Sequence, residues 1–246
     1  RGPDADGVKE IFTQNKLIQI GHRRLAIQDL SEKGNQPMES FSGRFIISYN
    51  GEIYNHNYLR KLINKYQEIK WKGTSDTETL INLFEIYEFE DVINKLEGMF
   101  AFSLFDKKNN FLYLVRDLAG EKPLYVSTSD HSLLFSSDIA ALKKFPNFNK
   151  NFDKIAIQEY LKYNYIPSPY SIYKNTFKLP ESSYLKININ KLTLKPFNNF
   201  KELINDDNIK YVNWWKPKYN KNYNLNGDFK VVLADVEQAL KVSVSQ

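Results

Sequence analysis

The alternation of hydrophobic and polar positions predicts β-strands at residues 16–27 and 45–54. A helix is predicted for the segment after the second strand, "NHNYLRKLINKY", with Asn55 or His56 near its start. The two strands and the helix predict a folded domain that mixes strands and helices.

A second helix is predicted for "SDTETLINLFEIYE", because its apolar residues share one helical face and either Ser75 or Asp76 can cap it. Glu78 follows Ser75 by three residues, as in a capping box. The apolar face consists of Leu80, Leu83, Phe84 and Tyr87. A shorter helical turn is predicted for "EDVINKL".

From Met99 onward the pattern changes to four short strands, "MFAFSLFD", "FLYLVRD", "PLYVSTS" and "SLLFSSD". We expect these four strands to be successive antiparallel neighbours. Strands, two helices and then a run of strands favour a layered α+β domain over an alternating parallel α/β fold. Helices are expected near residues 138–145 and 153–163.

The last quarter of the chain predicts a domain boundary. "YLKININ" and "LTLKPF" predict a hairpin, and the polar, Asn- and Lys-rich residues after it predict a linker. The predicted limits are a domain at residues 1–195, a linker at 196–227 and the first helix of another domain at 228–246. That final helix carries apolar residues at helical spacing, which predicts a partner surface.

Composition narrows the class of protein. No window of the 246 residues is apolar enough to span a bilayer, and the first residues lack a signal-peptide core. With no cysteine in the chain, a disulfide framework is excluded and cytoplasm is the default location. The net charge of +5 is scattered along the sequence, so we expect neither nucleic-acid nor membrane binding.

The usual sources of covalent chemistry are missing from the sequence. Its three histidines, His22, His56 and His131, show no metal-binding spacing, and each is expected to be structural or exposed. The sequence has no cysteine nucleophile, no G-x-S-x-G elbow and no phosphate-binding loop. We therefore expect no metal site.

A polar set near predicted strand ends offers different chemistry. Arg23-Arg24 can bind a carboxylate, Asp76 an ammonium, and Asn50 beside Gly51 presents two donors to one oxygen. Together they would suit an α-amino acid with a reactive carbonyl. Taken singly, these residues are better explained as exposed strand charges, a hairpin turn and a helix cap.

The motifs gain weight from their order. "RGPD", "GHRRLAIQDLSEKGNQPM", "YNGEIYN", "GTSDTET", "LEGMFAFSLFD" and "VRDLAGEKPLY" are followed by "SSDIAALKKFP" and "YIPSPYSIYKNTFKLP". The chain resembles the N-terminal class II glutamine amidotransferase domain of glutamine-hydrolysing asparagine synthetases. The resemblance runs from Arg1 to about Tyr184 and continues more weakly through the predicted linker.

This resemblance implies a four-layer αββα N-terminal-nucleophile hydrolase sandwich of antiparallel sheets, here lacking its first strand. It implies that Asn50 and Gly51 form the oxyanion hole and that Arg24 holds the glutamine α-carboxylate. Asp76 and Glu52 would bind the α-ammonium, and Ile27 would add a backbone contact. In the family, an N-terminal cysteine attacks the glutamine amide and its own α-amino group serves as base.

The chain departs from the family pattern at both ends. Family members begin Met-Cys-Gly, whereas this sequence starts within the "HRGPD" motif, so the nucleophile is missing. We expect an N-terminal segment to be lacking, and we expect no glutamine hydrolysis by these residues alone. The family's S-G-G-x-D-S synthetase loop is likewise absent.

The resemblance implies that this chain is the glutaminase portion of a glutamine-dependent asparagine synthetase. Its expected partners are glutamine and a C-terminal synthetase domain, where ATP and Mg²⁺ would act on aspartate; no cofactor is expected in this fragment, and a homodimer is left open. Two alternatives remain: an amidotransferase for another carboxylate, such as a sugar acid, or a non-catalytic module that binds glutamine or docks a partner enzyme. We expect Arg116-Asp117 and Glu121-Lys122 to fix a turn, and Trp214-Trp215 to pack against the domain.

Overall fold

The structure is a computed structural model that describes residues 2–217 and 229–245. The strands are β1 (Ala5–Phe12), β2 (Leu17–Arg24), β3 (Met38–Glu39), β4 (Phe45–Ile53), β5 (Gly98–Asp106), β6 (Phe111–Arg116), β7 (Tyr125–Thr128), β8 (Leu133–Ser136), β9 (Thr176–Lys178), β10 (Ser183–Asn188) and β11 (Ile209–Asn213). The helices are α1 (His56–Tyr66), α2 (Asp76–Ile86), α3 (Phe89–Ile93), α4 (Ile139–Leu142), α5 (Lys154–Tyr163), α6 (Phe200–Ile204) and α7 (Phe229–Val244).

The strands form three antiparallel sheets. The largest has six strands in the order β11-β10-β6-β5-β4-β3, and a three-stranded sheet has the order β8-β7-β9. β1 and β2 form a separate two-stranded hairpin, with Ala5 opposite Arg24 and Phe12 opposite Leu17. The antiparallel α+β class predicted from the sequence is therefore confirmed.

Two hydrophobic cores lie on opposite faces of the six-stranded sheet. One packs Ile47, Tyr49 and Ile53 of β4 with apolar residues of α1, α2 and α3. The other packs Ile46 of β4 with β2, β7 and β9, so it fills the space between the sheets. Alternate side chains of a strand point to opposite faces, which is how β4 contributes to both cores.

The first two predicted helices are confirmed. α1 follows Asn55, whose side chain bonds to the backbone of Lys95 and Glu97 beyond it rather than capping the helix. α2 begins after Ser75, whose hydroxyl oxygen accepts from the Glu78 N–H at 3.2 Å. Capping by Ser75 makes Asp76 the first residue of the helix.

The expectation that the strands after Met99 are successive neighbours is wrong at one point. β5 pairs with β6 and β7 pairs with β8, but β6 and β7 belong to different sheets. Asp117, with no exposed surface, accepts hydrogen bonds from the N–H groups of Phe100, Ala119, Glu121 and Lys122. This buried carboxylate fixes the crossing between sheets, which short-range alternation cannot reveal.

Arg116 secures the same crossing, as the sequence predicts. Its guanidinium donates to the carbonyl oxygens of Lys122 at 2.9 Å, Leu179 at 2.7 Å and Gly120 at 2.5 Å. Arg116 and Asp117 thus have structural partners on the chain itself.

The predicted hairpin after Tyr184 is also wrong. β10 pairs with β6 on one side and with β11 on the other, and residues 192–197 form no strand. The intervening segment carries α6, with Leu203 buried in the core between the sheets. β11 is a short edge strand, and of its five residues only Ile209 is buried.

The folded domain therefore extends past the predicted boundary at residue 195. The compact unit runs to Trp215, and Trp214 packs against the core beside the helices. Of the predicted linker, residues 196–215 belong to the domain, while residues 218–227 lie outside the described part of the chain. The predicted helix near residue 228 is confirmed as α7, which has no buried residue.

Four strands, β1, β3, β9 and β11, escaped the sequence analysis. β1 carries polar residues and a glycine at positions that a strand with one open face tolerates, and β9 lies within the Pro-rich segment. Within residues 2–217 and 229–245, no helix combines the length and apolar character needed to cross a membrane.

Candidate amidotransferase site

A cavity of about 1160 Å³ opens between β2, the end of β4, the start of α2 and the β8–α4 segment. All the residues predicted for the site line it: Arg24, Ile27, Asn50, Gly51, Glu52 and Asp76. These residues come from three elements and one loop that are distant in sequence. The fold therefore brings these six residues to one cavity.

The interpretation of Asn50-Gly51 as a turn is wrong. Both residues lie within β4, where Asn50 is opposite Ala101 and Gly51 is opposite Phe100 of β5. An Asn-Gly pair is a strong turn signal on its own. Here pairing along β5 overrides that local preference.

The backbone of β4 presents a donor to the cavity. Tyr49 N–H donates to Gln36 Oε1 at 2.7 Å and Ile53 N–H donates to Asp76 Oδ2 at 3.0 Å, so both point away from β5. Alternate residues of an antiparallel strand direct their N–H groups to the same side. The Gly51 N–H, between them, therefore also points away from β5, towards the cavity side.

The Gly51 N–H is left without a partner among the described residues. Phe100, its register partner, uses its own N–H and C=O on Asp117 instead, at 3.1 and 2.8 Å. The side-chain amide of Asn50 also forms no hydrogen bond within the described part of the chain. Two neighbouring donors are thus free to bind one oxygen atom.

Only glycine fits at position 51. A Cβ atom there would lie 2.1 Å from the Met99 carbonyl oxygen and 2.7 Å from the Phe100 Cα. Such contacts would force the two strands apart. The close approach of β4 and β5 explains why a residue without a side chain stands beside Asn50.

Two of the carboxylates that line the cavity, Asp76 and Glu52, differ in their hydrogen bonds. Asp76, 5% exposed, accepts from the Tyr49 hydroxyl at 2.8 Å and Ile53 N–H at 3.0 Å through Oδ2, and from Thr77 N–H at 2.8 Å through Oδ1. Burial, then Asp76 itself, raises the pKa of Tyr49 well above its usual value, so this hydroxyl stays a donor. Glu52, in contrast, bonds to no other described side chain and is free to bind an ammonium.

Arg24 has a double role in the geometry. It is 8% exposed, and its guanidinium donates to Ser31 O at 2.7 Å, to Asn35 Oδ1 at 3.0 Å and to Asp29 O. A guanidinium has five N–H donors, so two remain for a ligand carboxylate. The arginine therefore fastens the loop after β2 while still facing the cavity.

The same loop is held from its other side by Asp29. Its carboxylate accepts from the Ser31 hydroxyl at 2.6 Å, Ser31 N–H at 2.9 Å and Thr74 N–H at 2.8 Å. These hydrogen bonds, with the Ser31 hydroxyl foremost, lower the pKa of Asp29 to about 2. A permanent carboxylate thus ties the β2 loop to the segment before α2.

Sequence reasoning missed several residues of the site. Gln36 accepts from Tyr49 N–H and donates to Thr77 Oγ1 at 3.3 Å, so it joins β4 to α2. His22, interpreted as structural or exposed, lines the cavity beside Ser48. Their only signal was position within the "GHRRLAIQDLSEKGNQPM" block, because their partners are far away in sequence.

The family comparison decides the class of this site. The model described as "Glutamine amidotransferase domain" matches residues 1–198. The chain belongs to the glutamine amidotransferase domain family. The resemblance inferred from the ordered motifs is confirmed.

Named relatives of this amidotransferase domain are asparagine synthetases. A putative glutamine-hydrolyzing asparagine synthetase 2 of Methanocaldococcus jannaschii is 37% identical over 239 residues, which cover 91% of this chain and 43% of that protein. Glutamine-hydrolyzing asparagine synthetase 1 of Bacillus subtilis is 35% identical and covers 76% of this chain and 28% of that protein. The chain spans less than half the length of these relatives.

A solved structure supports the fold. Glutamine phosphoribosylpyrophosphate amidotransferase from Bacillus subtilis, complexed with ADP and GMP, aligns with a TM-score of 0.53 at 17% identity, covering 81% of this chain and 35% of that chain. At this identity the likeness concerns the fold alone. It confirms the predicted N-terminal-nucleophile hydrolase sandwich for the amidotransferase domain.

Proposed function

We propose that this domain binds L-glutamine in the cavity at β4 and hydrolyses its side-chain amide to glutamate and ammonia. The observation that carries the proposal is the pair of free donors at Asn50 and Gly51. They share one cavity with Arg24, Glu52 and Asp76, whose charges match the α-carboxylate and α-ammonium of an amino acid.

The carbonyl oxygen of the glutamine amide lies between the Asn50 amide and the Gly51 N–H in this proposal. Attack on the δ-carbon turns that oxygen into an oxyanion, which both donors stabilise. The amide nitrogen then leaves as ammonia after gaining a proton. Water cleaves the remaining acyl bond and releases glutamate.

The attacking group comes from outside these 246 residues, since they contain no cysteine. In class II amidotransferases, which this chain resembles, an N-terminal cysteine supplies the thiolate and its α-amino group the base. The cavity supports such an arrangement because β2 lines one part and the β8–α4 segment another. An extended segment carrying the cysteine would lie between them, facing Asn50.

The names of the relatives support a proposal for the destination of the ammonia. We propose that it passes to a C-terminal synthetase domain that activates aspartate with ATP and Mg²⁺ and forms asparagine. α7 would be the first helix of that domain, since its apolar stripe of Phe229, Leu233, Val236 and Leu240 suits a packed core.

Calorimetric titration of these residues with L-glutamine tests the binding step. We expect measurable binding that weakens about tenfold in Glu52→Gln, because this substitution removes a charged partner of the ammonium. Glu68→Gln is the matched control, since Glu68 is exposed on the segment after α1 and lies outside the cavity. Equal binding by both variants would contradict the assigned site, and a protein that binds no glutamine would contradict the proposed function.

A further inference from the structure

His22 stands next to the proposed glutamine site and has no role in the chemistry described so far. It projects from β2 into the cavity that Asn50 and Gly51 line. Its ring nitrogen Nδ1 lies 3.3 Å from the Ser48 hydroxyl oxygen. Ser48 is on the same face of β4 as Asn50, because the two are alternate residues of one strand.

The hydrogen bonds around Ser48 favour one position for the proton on this ring. The Ser48 hydroxyl donates to the Gly21 carbonyl oxygen at 3.2 Å. The even-numbered residues of β2 direct their backbone groups toward β1, as the bond from the Asp4 N–H to the Arg24 carbonyl oxygen at 3.1 Å indicates. The Gly21 carbonyl oxygen, on an odd-numbered residue, therefore points away from β1. A hydroxyl has one hydrogen, so Ser48 accepts from His22 as long as it donates to Gly21.

In that arrangement Nδ1 of His22 carries the hydrogen and Nε2 presents a lone pair. Burial, together with the nearby Arg24 cation, lowers the pKa of His22 to about 4. The ring is then neutral at physiological pH, and Nε2 is a hydrogen-bond acceptor. Nε2 also has no hydrogen-bond partner among the residues that the structure describes.

The spacing along β2 suits a glutamine molecule. His22 and Arg24 are alternate residues of the strand, so their side chains share a face about 6.7 Å apart along it. This separation is similar to that between the α-carboxylate and the side-chain amide of an extended glutamine. A ligand held by Arg24 at one end would bring its amide to the level of His22.

We propose that His22 is the residue that distinguishes glutamine from glutamate, by accepting a hydrogen bond at Nε2 from the side-chain amide NH₂ of the ligand. This inference rests on the proposed function. Asn50 and Gly51 donate hydrogen bonds to the amide oxygen of the ligand, and His22 accepts one from its amide nitrogen. Glutamate has no hydrogen to donate at that position, and its carboxylate would face a lone pair.

The test compares the affinities of glutamine and glutamate by calorimetry in His22→Phe, which keeps an aromatic ring but removes the acceptor. We expect the preference for glutamine to fall about threefold to tenfold, the worth of one neutral hydrogen bond. His131→Phe is the matched control, because His131 is exposed between β7 and β8 and lies outside the cavity. That control should keep the full preference.

Nitrogen-15 NMR of the imidazole rings gives a second readout that needs no substitution of His22. The chain has three histidines, so the His22 signals are readily assigned. Glutamine should shift the Nε2 signal towards a hydrogen-bonded acceptor, and glutamate should not.

The outcomes separate the inference from the function on which it rests. The role of His22 would be overturned if His22→Phe kept the full preference for glutamine over glutamate, or if bound glutamine did not shift the Nε2 signal. Either result would leave the proposed function intact. Failure of the unmodified chain to bind glutamine would overturn both.

Discussion

Gly51 carries two structural requirements in a single residue. Its N–H must face the cavity, and its Cα must approach the β5 backbone so closely that a Cβ would lie 2.1 Å from the Met99 carbonyl oxygen. The N–H serves the proposed chemistry, whereas the close approach of the Cα serves strand pairing. The free energy of unfolding measures the effect of the close approach alone.

Gly51→Ala should destabilise the domain by about 3 kcal/mol, because the methyl group must displace backbone atoms of β5. Gly21→Ala is the matched control, since a Cβ at Gly21 meets no atom closer than 3.9 Å. It should change the free energy of unfolding by no more than about 0.5 kcal/mol. Urea unfolding measures both, and equal losses would show that the contact with Met99 does not govern the cost.

His22 gives the domain a defined pH dependence. Its pKa is about 4 in the folded protein against an ordinary value of 6.5, because burial and Arg24 disfavour the proton. The unfolded chain therefore binds more protons between these values. Stability from the neutral ring is complete above pH 6.5 and is lost as the pH falls towards 4.

His22→Phe should flatten this loss, which amounts to about 3 kcal/mol between pH 6.5 and 4. His131→Phe should retain the slope of the unmodified protein. Urea unfolding at several pH values measures the effect. A His22→Phe variant that loses as much stability as the unmodified chain would contradict a neutral, buried imidazole.

At the scale of elements, the local signals of the sequence were strongest for helices. Ser75 and the apolar face of α2 located that helix, and the structure places its cap at the same serine. The edge strand β11 gave no such signal, because it is only five residues long within a polar segment and its order comes from pairing with β10. Pairing partners far apart in sequence are what local patterns cannot supply.

The ordered β11 predicts where the domain can be shortened. A chain ending after residue 217 should retain the thermal unfolding midpoint of the longer protein. One ending after residue 197 should unfold at least 10 °C lower or aggregate, because it loses β11 and α6, whose Ile209 and Leu203 are buried between the sheets. Calorimetry measures the unfolding midpoints of both shortened proteins. Equal midpoints would indicate that the folded domain ends near residue 195.

At the scale of the whole molecule, the sequence indicated which residues line the candidate site, but not the strand pairing and hydrogen bonds that hold them there. The family order of the motifs groups Arg24, Asn50, Gly51, Glu52 and Asp76, and the structure places all five on one cavity. The Asn-Gly pair was assigned to a turn because the sequence does not show β5 running beside it. Partners such as Gln36 and Asp29 stayed hidden, since their hydrogen bonds depend on how the β2 loop meets α2.

The central claim is that Asn50 and Gly51 stabilise an oxyanion formed from glutamine. The direct measurement is glutamate release from glutamine by this domain carrying an N-terminal segment with the family's Met-Cys-Gly start. The 246 residues alone should release none. Asn50→Ala in the cysteine-bearing protein should lower kcat by about 10²–10³, because one oxyanion donor is lost.

Asn57→Ala is the control for that measurement, since Asn57 is an exposed residue of α1 outside the cavity. The account predicts a steep loss of kcat in Asn50→Ala and none in Asn57→Ala. Equal rates in these two variants, at unchanged folding stability, would contradict it.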